Sequence, residues 1–310
     1  MLKKSLKKII RNYLPKTDRH DFEYTVNELI GMSENSSNLI ANWHGKALSS
    51  EILKYKTSDT IFLLGSGPSI NDISKEQWEL IGKHNSIGFN YWFAHDFVPT
   101  YYMFQGADET MLELLKDTNS KYKNIPFLLR GADIAAGSLD TSDDRINLLK
   151  NNPVYYLNTY PISSKCSIEV SKLFKFVESL GFFTFNKISD FVPKFRGSLG
   201  LLISLSYQMG YKKIVLCGMD MKDSSHFWDS SLYNQLKDKY NLPSINDTNL
   251  NTFTDENHSP NTVPHYVYSL RDWVLDKHNV EISLINSNSA LYPELDIYDS
   301  SSKSIKNSFK

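Results

Sequence analysis

The sequence predicts an α/β fold in which a parallel β-sheet carries helices on both faces. Continuous apolar runs such as Thr60–Leu64 and Lys213–Gly218 alternate with helix-like segments, and glycine-bounded turns follow the ends of those runs. Runs without polar alternation mark strands buried on both faces. With 310 residues and 41% hydrophobic content, the chain can bury one large core or two small ones. Its 34 Lys and Arg against 35 Asp and Glu give a formal net charge of −1, which excludes bulk nucleic-acid binding. The 18 Tyr and 17 Phe suit a stacked ligand pocket or plain core packing equally well. Two cysteines, Cys166 and Cys217, are too few for a disulfide framework and fit a reducing compartment.

The chain opens with MLKKSLKKIIRNYLP, which lacks the long apolar centre and cleavage site of a signal peptide. Leu2, Leu6, Ile9, Ile10, Tyr13 and Leu14 fall on one side of a helix, with Lys3, Lys4, Lys7, Lys8 and Arg11 around the other. Such a helix can lie on an anionic membrane surface, dock on its own domain or fray in solvent. No run of about 18 apolar residues occurs, so no spanning helix is expected. Residues 1–55 read as a helical extension, 56–295 as the main domain and 296–310 as a flexible tail.

Within the main domain, Thr60–Leu64 is the first strand, followed by Gly65-Ser66-Gly67-Pro68-Ser69, an Asn71-Asp72 cap and a helix over 73–81 ended by Gly82. Ser86–Asn90, Tyr101–Gln105 and Phe127–Arg130 read as strands, and 111–115 and 168–180 as helices. Ser198–Met209 is an apolar helix closed by Gly210, and Lys213–Gly218 is the buried strand after it. Residues 222–261 are polar and without period, which reads as a lid or as disorder. A helix over 264–277 and a strand over 280–285 complete the pattern.

In parallel α/β folds the ligand sits beyond the carboxyl ends of the strands, so the segments just after strands carry the candidate chemistry. The Gly65–Ser69 turn can let a nucleotide approach the backbone, or it can be a tight turn with no ligand. It departs from the dinucleotide fingerprint, because Ile70 stands at the third glycine and Asn90 ends the next strand where an acidic residue would hold NAD. Arg196-Gly197-Ser198 opens the apolar helix as an anion site, or as a solvated Arg beside a cap. Gly218-Met219-Asp220 leads into Lys222, Asp223 and His226. Two carboxylates supply too few oxygens for a hard cation, whereas Lys222 and His226 can neutralise a departing phosphate. His258, in His258-Ser-Pro-Asn-Thr262, is a candidate general base if it is more than a solvated loop histidine.

Taken in order, these segments resemble the bacterial sialyltransferases of glycosyltransferase family 42. The resemblance runs through Gly65–Ser69, Asn90, Arg196 with Ser198, Gly210-Tyr211-Lys212, Gly218 with Asp220 and Ser224–Trp228, and His258–Thr262, and it spans roughly residues 58–291. It implies a Rossmann-like GT-A-variant domain with a lid, an inverting, metal-independent reaction, and a CMP-sugar as co-substrate with no cofactor. By it His258 is the general base. Gly65, Ser66, Gly67, Pro68, Ser69, Asn90, Gln105, Gly197, Ser198, Gly218 and Asp220 would bind the donor, and Arg196 would stand near its phosphate. The chain departs from the family at Ser66 and Gln105, where Asn is usual. It also has Lys222 and His226 near the places of two phosphate-binding tyrosines.

The expected function is transfer of sialic acid or a related ulosonic acid to a hydroxyl of a lipopolysaccharide or capsule glycan. The expected setting is cytoplasmic, with Lys3, Lys4, Lys7, Lys8 and Arg11 meeting the anionic inner face of the cytoplasmic membrane. Whether the chain forms a homo-oligomer is left open. Two other readings stay open: a Rossmann-type oxidoreductase or methyltransferase, and a non-catalytic nucleotide-binding protein of the membrane surface.

Overall fold

The computed structural model describes residues 34, 36–104, 108–130, 142–162, 178, 183–189, 191–195, 197–222, 225–243 and 262–300. The expected basic helix, the helix over 168–180 apart from Glu178, and residues 301–310 of the expected tail lie outside them.

The strands are β1 (Lys46–Ala47), β2 (Thr60–Leu64), β3 (Asn85–Phe89), β4 (Tyr101–Phe104), β5 (Phe127–Arg130), β6 (Val154–Ile162), β7 (Phe191–Phe195), β8 (Lys213–Cys217) and β9 (Glu281–Leu284). They form one sheet in the order β1-β6-β5-β4-β3-β2-β8-β9, with β7 pairing to β6, and every pairing between them is parallel. The expected parallel α/β class is what the chain forms. β2 is the hinge of the topology. From it the chain steps outward through β3, β4, β5 and β6, then returns to lay β8 on its other side.

The helices are α1 (Lys75–Ile81), α2 (Glu109–Thr118), α3 (Asp144–Asn147), α4 (Ser198–Gln208), α5 (Asn234–Tyr240) and α6 (Val263–Leu270). Side chains alternate along each strand, so the sheet divides the core in two. Ile61, Leu63, Ile87, Met103 and Leu128 pack with Leu202 and Leu205 of α4 and Tyr266 and Val267 of α6. Phe62, Leu64, Tyr102, Phe104 and Leu129 pack with Ile81 of α1 and with Met111, Leu112, Leu114 and Leu115 of α2. α4 is apolar on all sides because it is buried on all sides: every residue from Leu199 to Gln208 is buried. Gly200 admits α6 to that layer, since a Cβ there would stand 2.4 Å from Cε1 of Tyr266.

Several expected boundaries shift for physical reasons. Pro68 opens a short 3₁₀ turn, Pro68–Asp72, and α1 begins only at Lys75, where Ser74 and Gln77 form a capping box. Sequence reading missed β6 and β7, which contain Pro161 and Pro193. Both prolines lie where β6 and β7 pair only with each other, so neither interrupts a strand flanked on both sides. β1 draws part of the amino-terminal extension into the sheet, and Ser36 Oγ donates to Asn158 Oδ1 at 2.9 Å. The polar stretch after β8 is partly regular, with turns at Phe227–Asp229 and Ser231–Tyr233 followed by α5. The chain also stays attached past residue 295: Leu284 N–H donates to Asp296 O at 2.9 Å and Tyr298 N–H to Leu284 O at 2.7 Å. Among the described residues no helix is long and apolar enough to cross a membrane.

Candidate functional site

Strand order reverses at β2, so the carboxyl ends of β2 and β8 are where an open parallel sheet is expected to bind a ligand. The Gly65–Ser69 turn leaves β2 there and Gly218–Asp220 leaves β8 beside it. The two are stitched together. Gly65 N–H donates to Cys217 O and Gly67 N–H to Gly218 O, each at 2.8 Å. Ser69 gives its N–H to Asp220 Oδ2 at 2.8 Å and its hydroxyl to Asp220 Oδ1. Asp220 therefore crosses 151 positions of sequence to fix the turn.

Closeness explains the glycines. A Cβ at Gly67 would stand 2.5 Å from Asp220 Oδ2 and 2.8 Å from Gly218 O. Gly218 adopts φ +63, and a Cβ there would meet Ile70 Cγ1 at 2.6 Å. Ile70, at the place of the missing third glycine, thus fills the space under the β8 turn. The amides of Gly65, Gly67, Ser69 and Ile70 all point inward, the last to Gly67 O at 3.2 Å. With those donors engaged and α1 starting at Lys75, this turn does not present the open helix terminus that cradles a pyrophosphate. Ser66 is half-buried, and its carbonyl accepts from Phe227 N–H at 2.9 Å.

That last bond holds the segment after β8 against the Gly65–Ser69 turn. Asn71 Nδ2 also holds Phe227 O, at 2.9 Å. His226 lies flat on Trp228, ring centroids 4.3 Å apart and planes 23° from parallel, and its backbone N–H donates to Asp229 Oδ2 at 2.8 Å. Lys222 is exposed nearby in sequence. Met221, just after Asp220, holds φ 54, a left-handed conformation costly for a bulky side chain and a mark of local strain.

On the other side of β2, Asn90 follows β3 at φ 54, a conformation Asn tolerates better than most residues, and its carbonyl accepts the Tyr102 hydroxyl. Tyr91, which sequence reading passed over, donates its hydroxyl to Asp108 Oδ2 and sets its ring edge-on to Trp228 at 5.6 Å. Burial, then Asp108, holds the Tyr91 phenol well above its ordinary pKa, so it stays protonated. Asp108 also caps α2 through Met111 N–H at 2.8 Å. Position directly after a strand was the signal that could have found Tyr91.

Gly65, Ser66, Gly67, Pro68, Ser69, Gly218 and Asp220 are thus brought together, with Asn90 on the neighbouring strand and His226 tied in through Phe227. Gly197 and Ser198 start α4, which has no side-chain cap at its first turn. Of the His258–Thr262 segment, Thr262 is described: its Oγ1 accepts from His265 N–H at 3.3 Å and caps α6. Gln105, Arg196, Asp223, Ser224 and His258 lie outside the described residues.

No protein-family model matches the chain, and no curated protein does. Solved structures similar to it include two from one organism. One is the monofunctional alpha-2,3-sialyltransferase Cst-I from Campylobacter jejuni, at 16% identity and TM-score 0.44, with 82% of this chain and 84% of that chain covered. The other is the sialyltransferase CstII from Campylobacter jejuni in complex with the substrate analogue CMP-3FNeuAc, at 17% identity and TM-score 0.43, with 77% and 86% covered. Both are sialyltransferases.

Proposed function

We propose that the chain is a metal-independent, inverting glycosyltransferase that moves an acidic sugar from a CMP-activated donor to a glycan hydroxyl. The observation that carries this reading is the pair of turns after β2 and β8, bonded to each other at the carboxyl edge of the sheet. The amides of Gly65, Gly67, Ser69 and Ile70 are consumed internally, which suits the reading of a base and ribose at the turn and leaves a single phosphate to cationic side chains. The same geometry weighs against the dinucleotide alternative, since Ile70 is packed against Gly218 and no helix terminus opens at the turn.

In this reading the cytidine lies against Ser66 and Asn90, with Gln105, Gly197 and Ser198 completing the donor site. Arg196, Lys222 and His226 hold the phosphate. As the glycosidic C–O bond to phosphate breaks, charge gathers on the leaving CMP, and those cations lower the barrier by meeting it. His258 takes the proton of the acceptor hydroxyl while its oxygen forms the new bond to the anomeric carbon, on the face opposite the phosphate. A lipopolysaccharide or capsule acceptor, with the amino-terminal basic residues at an anionic membrane, belongs to the same proposal.

The test is release of CMP from CMP-N-acetylneuraminate, with and without acceptor. One general base contributes about 10²- to 10⁴-fold, so His258→Ala should slow transfer by that factor with folding unchanged. Transfer as fast as wild type would remove His258 from its role, and no CMP release by wild type would remove the reading.

A further inference from the structure

Among the described residues, every non-glycine residue with a left-handed backbone is Asn except Met221, at φ 54. A side chain without a polar tip to bond the backbone is disfavoured there, and such a turn persists where its surroundings impose it. Here they do. The Asp220 side chain is held by Ser69, whose N–H donates to Oδ2 at 2.8 Å. The segment after β9 holds the two carbonyls that precede Met221. Ser289 Oγ donates to Met219 O at 2.6 Å, and Ala290 N–H donates to Asp220 O at 2.7 Å. Asp220 O belongs to the planar peptide group that enters Met221, so that bond fixes the plane from which the turn starts. Ser289 is buried, and its hydroxyl oxygen accepts from Leu291 N–H at 3.2 Å.

The turn falls where the chain changes sides of the sheet. Met219 and Met221 pack in the α4 side of the core, whereas Phe227 and Trp228 pack with α1 and α2. Phe227 N–H is bonded to Ser66 O, beyond β2. Lys222, an exposed cation, is the first residue past the turn, on the chain that runs from the end of β8 to that bond. With the preceding peptide fixed, rotation about φ of Met221 swings everything after it.

We propose that Met221 is a positioning residue for the phosphate of the bound nucleotide: its left-handed turn, imposed by Ser289 and Ala290, sets the place of Lys222 at the edge of the sheet. This rests on the transferase reading above, in which Lys222 meets that phosphate. Met221 itself packs on the core and acts through Lys222.

Cytidine and CMP differ by the phosphate, so the ratio of their affinities reads the phosphate contacts. Calorimetric titrations with both ligands compare full-length wild type, Met221→Val, Met221→Asn, Met221→Gly and Lys222→Ala, after circular-dichroism melts establish that they fold. A bond to a charged group is worth about tenfold to hundredfold in affinity, and the exposure of Lys222 puts it at the low end. A β-branched residue is excluded from the left-handed region more strongly than Met, whereas Asn and Gly enter it readily. Met221→Val should therefore cut the preference for CMP about tenfold, with cytidine affinity within about twofold. Lys222→Ala should do the same, and the double variant should lose no more than either. Met221→Asn and Met221→Gly should keep the preference within about threefold, although both lose the packing of the Met side chain.

A wild-type preference in folded Met221→Val overturns the proposal. Equal loss in Met221→Asn and Met221→Gly overturns it too, by assigning the effect to packing, as does additive loss in the double variant. Where Met221→Val does not fold, Ser289→Ala, which releases Met219 O, decides in its place: a preference reduced about threefold supports the proposal and an unchanged one overturns it. Wild type that binds cytidine as tightly as CMP ends the proposal and leaves a nucleoside site. Wild type that binds neither ends the transferase reading and the proposal with it.

Discussion

Asp220 is expected to hold the nucleotide turn together, and a double-mutant cycle with Ser69 measures that directly. Ser69 is 3% exposed, and both of its donors end on the Asp220 carboxylate. Hydrogen bonds to a charged acceptor are worth about 1.5–3 kcal/mol each when one partner is removed. Asp220→Ala strands the amide and the hydroxyl together, so it should cost about 3–6 kcal/mol. Ser69→Ala loses only the hydroxyl bond, about 1.5–3 kcal/mol. That bond is counted in both single variants, so the double variant should be less destabilised than their sum by about 1.5–3 kcal/mol. Urea unfolding of the four proteins at neutral pH, with a shared m-value, gives the coupling. Additivity within about 0.5 kcal/mol would refute the clamp, because uncoupled sites behave that way.

Three further outcomes follow from the same geometry. Gly67→Ala, whose Cβ would meet Asp220 and Gly218, should destabilise by about 1–3 kcal/mol and weaken CMP binding. Gly82→Ala, whose nearest contact is 3.5 Å, should be neutral or stabilise by up to about 1 kcal/mol; denaturant midpoints separate the two. Burial pushes the His95 imidazole down to about 4 from 6.5, with Asp96 opposing, and Phe97 N–H donates to its Nδ1 at 3.0 Å, which requires the neutral ring. Between those pH values the unfolded chain takes up a proton that the native one refuses. Stability should therefore fall as pH drops from 6.5 to 4, by about 3 kcal/mol in all. Melts of wild type and His95→Gln across that window should diverge in slope; parallel curves would contradict the burial argument.

The sheet's centre was legible because β2, β5 and β8 carry the continuous apolar runs Ile61–Leu64, Phe127–Leu129 and Ile214–Cys217, which suit strands flanked on both sides. Its margin was not, because Pro161 and Pro193 argue against a strand unless one edge is free, and a free edge is a property of topology. In the same way the Gly65–Ser69 turn could be located from its position after a strand. Its inward amides could not, since they depend on Cys217, Gly218 and Asp220 arriving from far along the chain. Asp220 read as a donor contact, and its hold on Ser69 needs the fold to be seen.

The central claim is a cytidine monophosphate site at the carboxyl ends of β2 and β8, and titration of the wild-type protein with CMP tests it most directly. At about a hundredfold over its dissociation constant, CMP should stabilise the fold by about 2.7 kcal/mol, with NAD and S-adenosylmethionine giving no stabilisation. Stabilisation by either of those while CMP does nothing would contradict the account.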